Sequence, residues 1–358
     1  MADGLTKTAV GLVGFGLAGR VLHAPLLLAS GMEIVGVVSS QREAVSAALP
    51  TTRVCADLAQ LLALPRLDLV VIATPNDLHE AQALAALAAG KHVVVDKPMA
   101  LNVAAAERMM RAAQGARRLL IPFHNRRWDS DFLTVQRLIA DGPLGAVHTY
   151  EACWDRYRPD VPDRWREREA QGGGLLFDLG THLIDQALTL FGVPDWLQAD
   201  VYRQRSVATV DDAFELRMGR GRLRIVLGVS ALAAQPRPRF RIAGDLGGYI
   251  KEGIDPQEDQ LRAGMLPGDA GFGVEAESAQ GHMIASGAKI AGDLQPACAV
   301  AAERGCWRAF YDAVRESIGA GAPPPVLAQQ ALQVLRLIEA ARLSSASGAR
   351  VALDAAAN

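Results

Sequence analysis

No run of apolar residues in this sequence is long enough to cross a bilayer as a helix, so no membrane-spanning segment is expected. Nor is there a basic start followed by an apolar core. Met1 leads within a few residues to Thr8-Ala9-Val10-Gly11-Leu12-Val13 and then glycine, which does not read as a signal peptide. Excess charge of either sign is missing too. With 37 Lys and Arg against 39 Asp and Glu, the formal net charge is −2, and nothing electrostatic draws the chain to nucleic acid or to an anionic membrane. Cysteine is scarce and scattered. Cys55, Cys153, Cys298 and Cys306 contain no Cys-x-x-Cys pair, which argues against a zinc knuckle or a redox dithiol and suits free thiols in a reducing compartment. No internal repeat is evident. These absences point to a cytoplasmic protein whose partners are small molecules or other proteins. What is present is length and apolar material: 358 residues, half of them hydrophobic, enough for two domains with substantial cores.

The apolar run Thr8–Val13 reads as a strand buried on both faces, and Gly14-Phe15-Gly16-Leu17-Ala18-Gly19 follows at once. Helix-forming residues continue from Ala18 to about Ala29, with Pro25 bound to kink or interrupt them. Between a strand and a helix, G-x-G-x-x-G has the setting of a dinucleotide fingerprint. Its glycines serve a tight turn, close backbone approach to a pyrophosphate, and packing of helix on strand. The helix N-terminus adds free N–H groups and partial positive charge. An ordinary tight turn is the plainer alternative. A second strand, Glu33–Val38, ends at Ser39-Ser40-Gln41-Arg42, about where a carboxylate would accept from the ribose hydroxyls of NAD and repel a 2′-phosphate. No carboxylate stands at that tip. Ser39, Ser40 and Arg42 offer donors suited to a phosphate, which favours NADP with NAD as the alternative; otherwise Arg42 is a solvated side chain beside Glu43.

The alternation of strand and helix continues. Leu67–Thr74 is a buried strand broken by Pro75-Asn76, His79 to Ala89 is a helix stopped by Gly90, and His92–Val95 is a strand that delivers Asp96-Lys97-Pro98. In open parallel sheets ligands sit outside the carboxyl ends of the strands, so both turns aim at one crevice. Lys97 there can hold a substrate hydroxyl or a developing alkoxide, although a lysine at a strand end is commonly solvated surface. Leu119–Phe123 reads as a last strand ending at His124-Asn125, which places a dinucleotide-binding domain at 1–125 and a second domain at 126–358.

The second domain is organised around Gly172-Gly173-Gly174-Leu175-Leu176-Phe177-Asp178-Leu179-Gly180-Thr181-His182-Leu183-Ile184-Asp185. The spacing of its apolar residues predicts a helix from Leu175 to Phe191. Asp178 and His182 stand four apart, so on a helix they share a face, where the carboxylate can orient a proton-transferring imidazole. Two other readings stay open at this point, a helix-surface Asp–His pair and half of a metal site that would add Asp185.

Together these segments resemble the Gfo/Idh/MocA family of oxidoreductases, whose marks stand here as Gly14-Phe15-Gly16-Leu17-Ala18-Gly19, Thr74-Pro75-Asn76, Asp96-Lys97-Pro98 and Asp178-Leu179-Gly180-Thr181-His182. The resemblance implies an N-terminal Rossmann domain and a C-terminal α/β domain on an open, mostly antiparallel sheet. It makes Lys97 the catalytic lysine and Asp178 and His182 the catalytic acid–imidazole pair, meeting over the nicotinamide in a cleft between the domains, with no metal. Cofactor binding falls to Gly14, Phe15, Gly16, Ala18, Gly19, Ser39, Ser40, Arg42, Thr74, Pro75, Asn76, His79, Asp96, Lys97 and Asn125. One departure is Asp96, where the family more often has Glu; the charge is kept and the reach is shorter. Longer stretches, His124–Thr134, Arg156-Tyr157-Arg158-Pro159, Asp163–Glu167 and Gly253–Asp259, look like the NADP-dependent scyllo-inositol dehydrogenase branch.

Asp155 to Arg168 is dense in arginine, with Tyr157 and Trp165 interleaved. Arginine and aromatic side chains can donate to the hydroxyls of a polyol and stack on its apolar face, which makes Arg156, Tyr157 and Trp165 substrate-binding candidates beside Lys97, Asp178 and His182. An ion-paired surface loop is the alternative. Strand-like runs near Leu197–Arg205, Ala213–Met218, Arg222–Leu232 and Arg239–Ala243 suggest an antiparallel meander whose outer face suits a homodimer or homotetramer. Gly264 to Ala299 has no functional reading. Helices over Gly305–Ile318 and Ala328–Ser344 close the chain. The expected activity is hydride transfer between NADP and a cyclic polyol or sugar, scyllo-inositol foremost. Another sugar or a dihydrodiol, or a non-catalytic dinucleotide-binding regulator, are the alternatives.

Overall fold

The computed structural model describes residues 7–285 and 296–353, which divide into two units. The first takes the described residues through Asn125 together with Gln257–Phe272 and Cys306–Leu332. The second takes Arg126–Pro256, the described part of Gly273–Gly305, and the chain from Gln333 on. Two later segments thus return to the first unit, beyond what a single boundary at residue 125 conveys.

In the first unit, β1 (Ala9–Val13), β2 (Glu33–Val38), β3 (Arg53–Cys55), β4 (Leu69–Ile72), β5 (His92–Val95) and β6 (Leu120–Pro122) form a sheet in the order β3-β2-β1-β4-β5-β6. Every pair is parallel. This is the order of a dinucleotide-binding doubly wound sheet, with its switch point between β1 and β4. Every residue of β1 and β4 is buried, so both faces of the sheet are covered, as their unbroken apolar runs require. Side chains begin two of the helices. Asp57 accepts from Gln60 N–H at 2.8 Å, and Asn102 accepts from Ala105 N–H at 2.9 Å to start Val103–Ala116. The returning helix Arg308–Ala320 buries Phe310, Tyr311 and Val314, with Phe310 edge-on to Phe123 at 4.9 Å.

The second unit is built on nine strands: β7 (Val147–Cys153), β8 (Trp196–Tyr202), β9 (Ala213–Arg220), β10 (Leu223–Ser230), β11 (Phe240–Gly244), β12 (Gly247–Lys251), β13 (Gly281–Ala285), β14 (Cys298–Val300) and β15 (Val351–Ala352). Their order is β14-β13-β12-β11-β7-β10-β9-β8-β15, and all pairs are antiparallel except β7 with β10. The stretch Gly264–Ala299 therefore supplies sheet-edge strands; its residues 286–295 lie outside the described residues. Along β8, Leu197 and Ala199 are buried while Gln198 and Asp200 are exposed, the alternation of a sheet with one face toward a core and one toward solvent. Among the described residues no helix is long and apolar enough to cross a membrane.

Candidate functional site

In the first unit the turn after β1 is glycine-dependent for two separate reasons. Gly14 has φ +96°, and a Cβ there would lie 2.4 Å from the Ala73 carbonyl oxygen on the neighbouring strand end. Gly19 packs against the same turn, where a Cβ would collide with the Gly14 carbonyl. Gly16 is different. No protein atom lies within 4 Å of the position its Cβ would take, and its φ is not positive. Packing and backbone strain leave this glycine unexplained, whereas a dinucleotide whose pyrophosphate closes on the backbone explains it. The residues present thus fit a dinucleotide.

The helix that follows opens as a wide π turn, Ala18–His23, and continues as Ala24–Ala29, with Ala24 N–H donating to the Gly19 carbonyl. Pro25 has no N–H for a regular i−4 bond, and the wider turn accommodates that loss. Phe15 is buried, so its ring belongs to the core, while Ala18 is half-buried. At the tip of β2, the Ser39 hydroxyl accepts from Gln41 N–H at 3.0 Å, and Ser40 and Arg42 are exposed, Arg42 at the start of the helix Arg42–Ala48.

The other two turns are tied together by His79. It is fully buried, with Nδ1 2.9 Å from the Pro98 carbonyl and Nε2 3.0 Å from the Thr74 carbonyl. The buried imidazole thus braces the two turns against each other. Burial pushes the His79 pKa down, against the pull of Asp96 and the two carbonyls. Asn76 and Asn125 are also buried, and Asn125 opens the turn Asn125–Trp128. Thr74 Oγ1 donates to Gln82 Oε1 at 2.7 Å. Lys97 follows β5, with a cis bond to Pro98, and donates its backbone N–H to Asp96 Oδ1 at 2.8 Å. Burial alone would raise the Asp96 pKa, yet His23, Lys97 and His79 around it hold it at about 2. The shorter acid at this position is therefore occupied by its own protein surroundings.

In the second unit the predicted helix is present, but in two parts: a wide turn Leu176–Gly180 carrying Asp178, then Thr181–Phe191 carrying His182 and Asp185. The entry is fixed by Asp211, whose carboxylate accepts from Leu176 N–H at 2.7 Å and whose carbonyl accepts from Leu175 N–H at 2.9 Å. Gly174 has φ +104°, and a Cβ there would run into the Asp211 carboxylate. Burial raises the Asp211 pKa, partly offset by that N–H bond and by Arg342. Asp178 is partly exposed and lies 3.5 Å from Arg166 Nε. His182 is buried, its ring 6.2 Å from that of Trp154. Asp185 is engaged in a two-point pair with Arg127, at 2.8 and 2.6 Å. Among the described residues no group of three His, Cys, Asp or Glu is placed to hold a metal ion.

The arginine-rich stretch splits between its two readings. Arg164 pairs with Glu167 and Arg168 with Asp163, as in an ion-paired surface loop. Arg166 stacks on Trp165 at 4.4 Å and meets Asp178, so Trp165 joins the acid through its neighbour. Tyr157 is exposed, and Arg156 lies over Trp154 at 5.5 Å. Sequence reasoning missed what holds these parts. Arg126 and Arg239 stack on Trp154 at 4.4 and 5.1 Å, and Arg239 also bonds Gln186 on the His182 helix at 2.7 Å. Arg205, buried, joins Asp212 at 2.8 Å, Glu167 at 3.1 Å and the Asp160 carbonyl at 2.9 Å, pinning the loop. No local pattern signals such residues, because most of their partners lie dozens of positions away along the chain.

Residues 8–124 match the Gfo/Idh/MocA oxidoreductase family's NAD-binding Rossmann fold, and residues 136–353 match its C-terminal alpha/beta domain. A scyllo-inositol 2-dehydrogenase (NADP(+)) of Bacillus subtilis strain 168 is 38% identical over 346 residues, 96% of each chain. An uncharacterized oxidoreductase of Escherichia coli strain K12 is 40% identical over 331 residues, 92% of this chain and 94% of its own. Among solved structures, an oxidoreductase of Yersinia pestis has a TM-score of 0.92 at 42% identity, with 99% of both chains covered. One from Bacillus subtilis has a TM-score of 0.93 at 38% identity, covering 97% of this chain and 99% of that one.

Proposed function

Because the chain belongs to the Gfo/Idh/MocA family of NAD(P)-dependent oxidoreductases, we propose that it is an NADP-dependent dehydrogenase of a cyclic polyol or sugar, with scyllo-inositol and scyllo-inosose as the favoured pair. The observation that carries the substrate is the full-length likeness to the Bacillus subtilis scyllo-inositol dehydrogenase. For the cofactor, the exposed Ser40 and Arg42 and the lack of a carboxylate at the tip of β2 support NADP. Gly14, Gly16 and Gly19 would hold the pyrophosphate, with Thr74, Pro75, Asn76 and Asn125 beside it and His79 bracing their turns. The bound nicotinamide supplies a hydride acceptor at C4.

The chain's own residues handle the proton and the oxygen. His182 takes the hydroxyl proton as general base when an alcohol is oxidised and returns it when a ketone is reduced. Asp178, kept next to Arg166, orients that imidazole or a neighbouring substrate hydroxyl. Lys97 polarises the reacting oxygen and stabilises charge that develops on it. Arg156, Tyr157 and Trp165 are assigned to the polyol's remaining hydroxyls and apolar face.

A panel of inositols, inososes and aldoses, assayed with NADP(H) and NAD(H) by nicotinamide absorbance, tests the reading. The expected result is the highest kcat/KM for scyllo-inositol or scyllo-inosose with the phosphorylated cofactor. A much better aldose or dihydrodiol would replace the substrate. Cofactor binding without turnover of any alcohol or ketone would point to a regulator instead. Lys97→Ala is expected to lower kcat by about 100- to 1000-fold, as for loss of one oxyanion donor, with cofactor Kd within about twofold.

A further inference from the structure

The turn that carries Lys97 is backed by three side chains that the proposed reaction does not use. Tyr311, on the returning helix Arg308–Ala320, is fully buried, and its hydroxyl lies 2.6 Å from His23 Nδ1. His23 ends the wide turn after the glycine loop and is fully buried as well. Its Nε2 faces Asp96 Oδ2 at 3.7 Å, an ion-pair distance longer than a hydrogen bond, and has no hydrogen-bond partner among the described residues. Asp96 in turn holds the backbone N–H of Lys97 through its other oxygen.

The arrangement is costly as packing alone. A phenol and an imidazole withdrawn from water stabilise a core less than the apolar rings that would fill the same volume, unless their polar atoms are used. Here they are used in sequence. With the phenol donating to Nδ1, the imidazole carries its proton on Nε2, toward the carboxylate that fixes Lys97. Phe123 leaves the imidazole little freedom, since its ring lies 4.3 Å from His23 and 5.8 Å from Tyr311.

We propose that Tyr311, His23 and Asp96 form a positioning chain that sets where Lys97 stands, so that a helix from near the end of the sequence tunes the reacting centre. This rests on the reading of Lys97 as the group that polarises the reacting oxygen. The three residues are positioning residues.

The test compares Tyr311→Phe, His23→Phe and His23→Gln with the wild type and with Lys97→Ala, using scyllo-inositol and NADP+. Tyr311→Phe removes one oxygen from a packed ring, and His23→Gln keeps a donor toward Asp96, so at least these two are expected to fold. Expected are a fall in kcat of about 10-fold or more for Tyr311→Phe and His23→Phe, KM and cofactor Kd within about twofold, and substantial recovery in His23→Gln. A purely structural role would instead lower the melting temperature and leave kcat intact. Wild-type kcat in Tyr311→Phe and His23→Phe beside an inactive Lys97→Ala overturns the positioning chain alone. An active Lys97→Ala overturns both the chain and the role of Lys97. Should scyllo-inositol not be turned over at all, hydrogen exchange at the Lys97 amide decides: faster exchange in Tyr311→Phe and His23→Phe supports the chain, and unchanged exchange overturns it.

Discussion

Asp96 carries a measurable signature in its pH response. Its pKa in the folded chain is lowered from 3.8 to about 2, so its contribution to stability is complete above 3.8 and is lost as pH falls toward about 2. The difference in melting temperature between wild type and Asp96→Asn is therefore expected to be full near pH 5 and to shrink below pH 4; a constant difference over that range contradicts the assignment. Arg42 is the residue to change for cofactor preference. Arg42→Ala is expected to raise the Kd for NADP+ about tenfold, close to 1.4 kcal/mol for one exposed charge-assisted contact, and to leave NAD+ within about twofold. Equal effects on both cofactors would contradict a role for Arg42 at the 2′-phosphate. Lys97, Asp178 and His182 were visible as candidates because short motifs at strand and helix ends mark them. His23 and Tyr311 were not. They stand 288 positions apart, and neither lies in a pattern that local periodicity or turn chemistry can read.

The glycine turn was legible as an element, yet the division of labour inside it was not, since spacing treats its three glycines alike. Gly14→Ala forces a Cβ against the Ala73 carbonyl at positive φ, and is expected to cost about 2 kcal/mol or more of stability. Gly16→Ala meets open space. It should melt with the wild type and lose about tenfold or more in NADPH affinity, measured by the fluorescence of the reduced nucleotide; unchanged affinity would remove Gly16 from the cofactor site. The helix that carries His182 shows what periodicity can and cannot deliver. Apolar spacing located Thr181–Phe191, with the sharp stop at Gly192. The wide turn Leu176–Gly180 ahead of it depends on Asp211, a residue more than thirty positions later, which no helix signal contains. The strands named from the sequence, β1, β2, β4, β5 and β6 in the first sheet and β8 to β11 in the second, were read to within a few residues, since unbroken apolar runs and alternation follow directly from burial on two faces or one; β3, β12, β13, β14 and β15, none longer than five residues, were not. The parallel pairing of β7 with β10 inside an otherwise antiparallel sheet depends on tertiary order and has no local mark.

For the molecule as a whole, the sequence expectation to test is a homodimer or homotetramer formed through the outer face of the second sheet, the face on which Gln198 and Asp200 of β8 are exposed. Light scattering should give a mass of two or four times 38.0 kDa at micromolar concentration, and a monomer would refute it. Chain order within the first unit carries a further expectation. A fragment ending at Asn125 omits Trp307, Phe310, Tyr311 and Val314, all buried in the folded chain, and leaves Phe123 without two of its aromatic neighbours. Expressed alone, that fragment should fail to melt cooperatively, whereas a chain through Val351 should do so. The helix Arg308–Ala320 therefore also sets a schedule. While the protein is being made, the strands of its first sheet are translated well before the aromatic wedge and the phenol behind Lys97, which follow only with Arg308–Ala320. A chain stalled before that helix would carry the glycine turn and the lysine without the assembled backing.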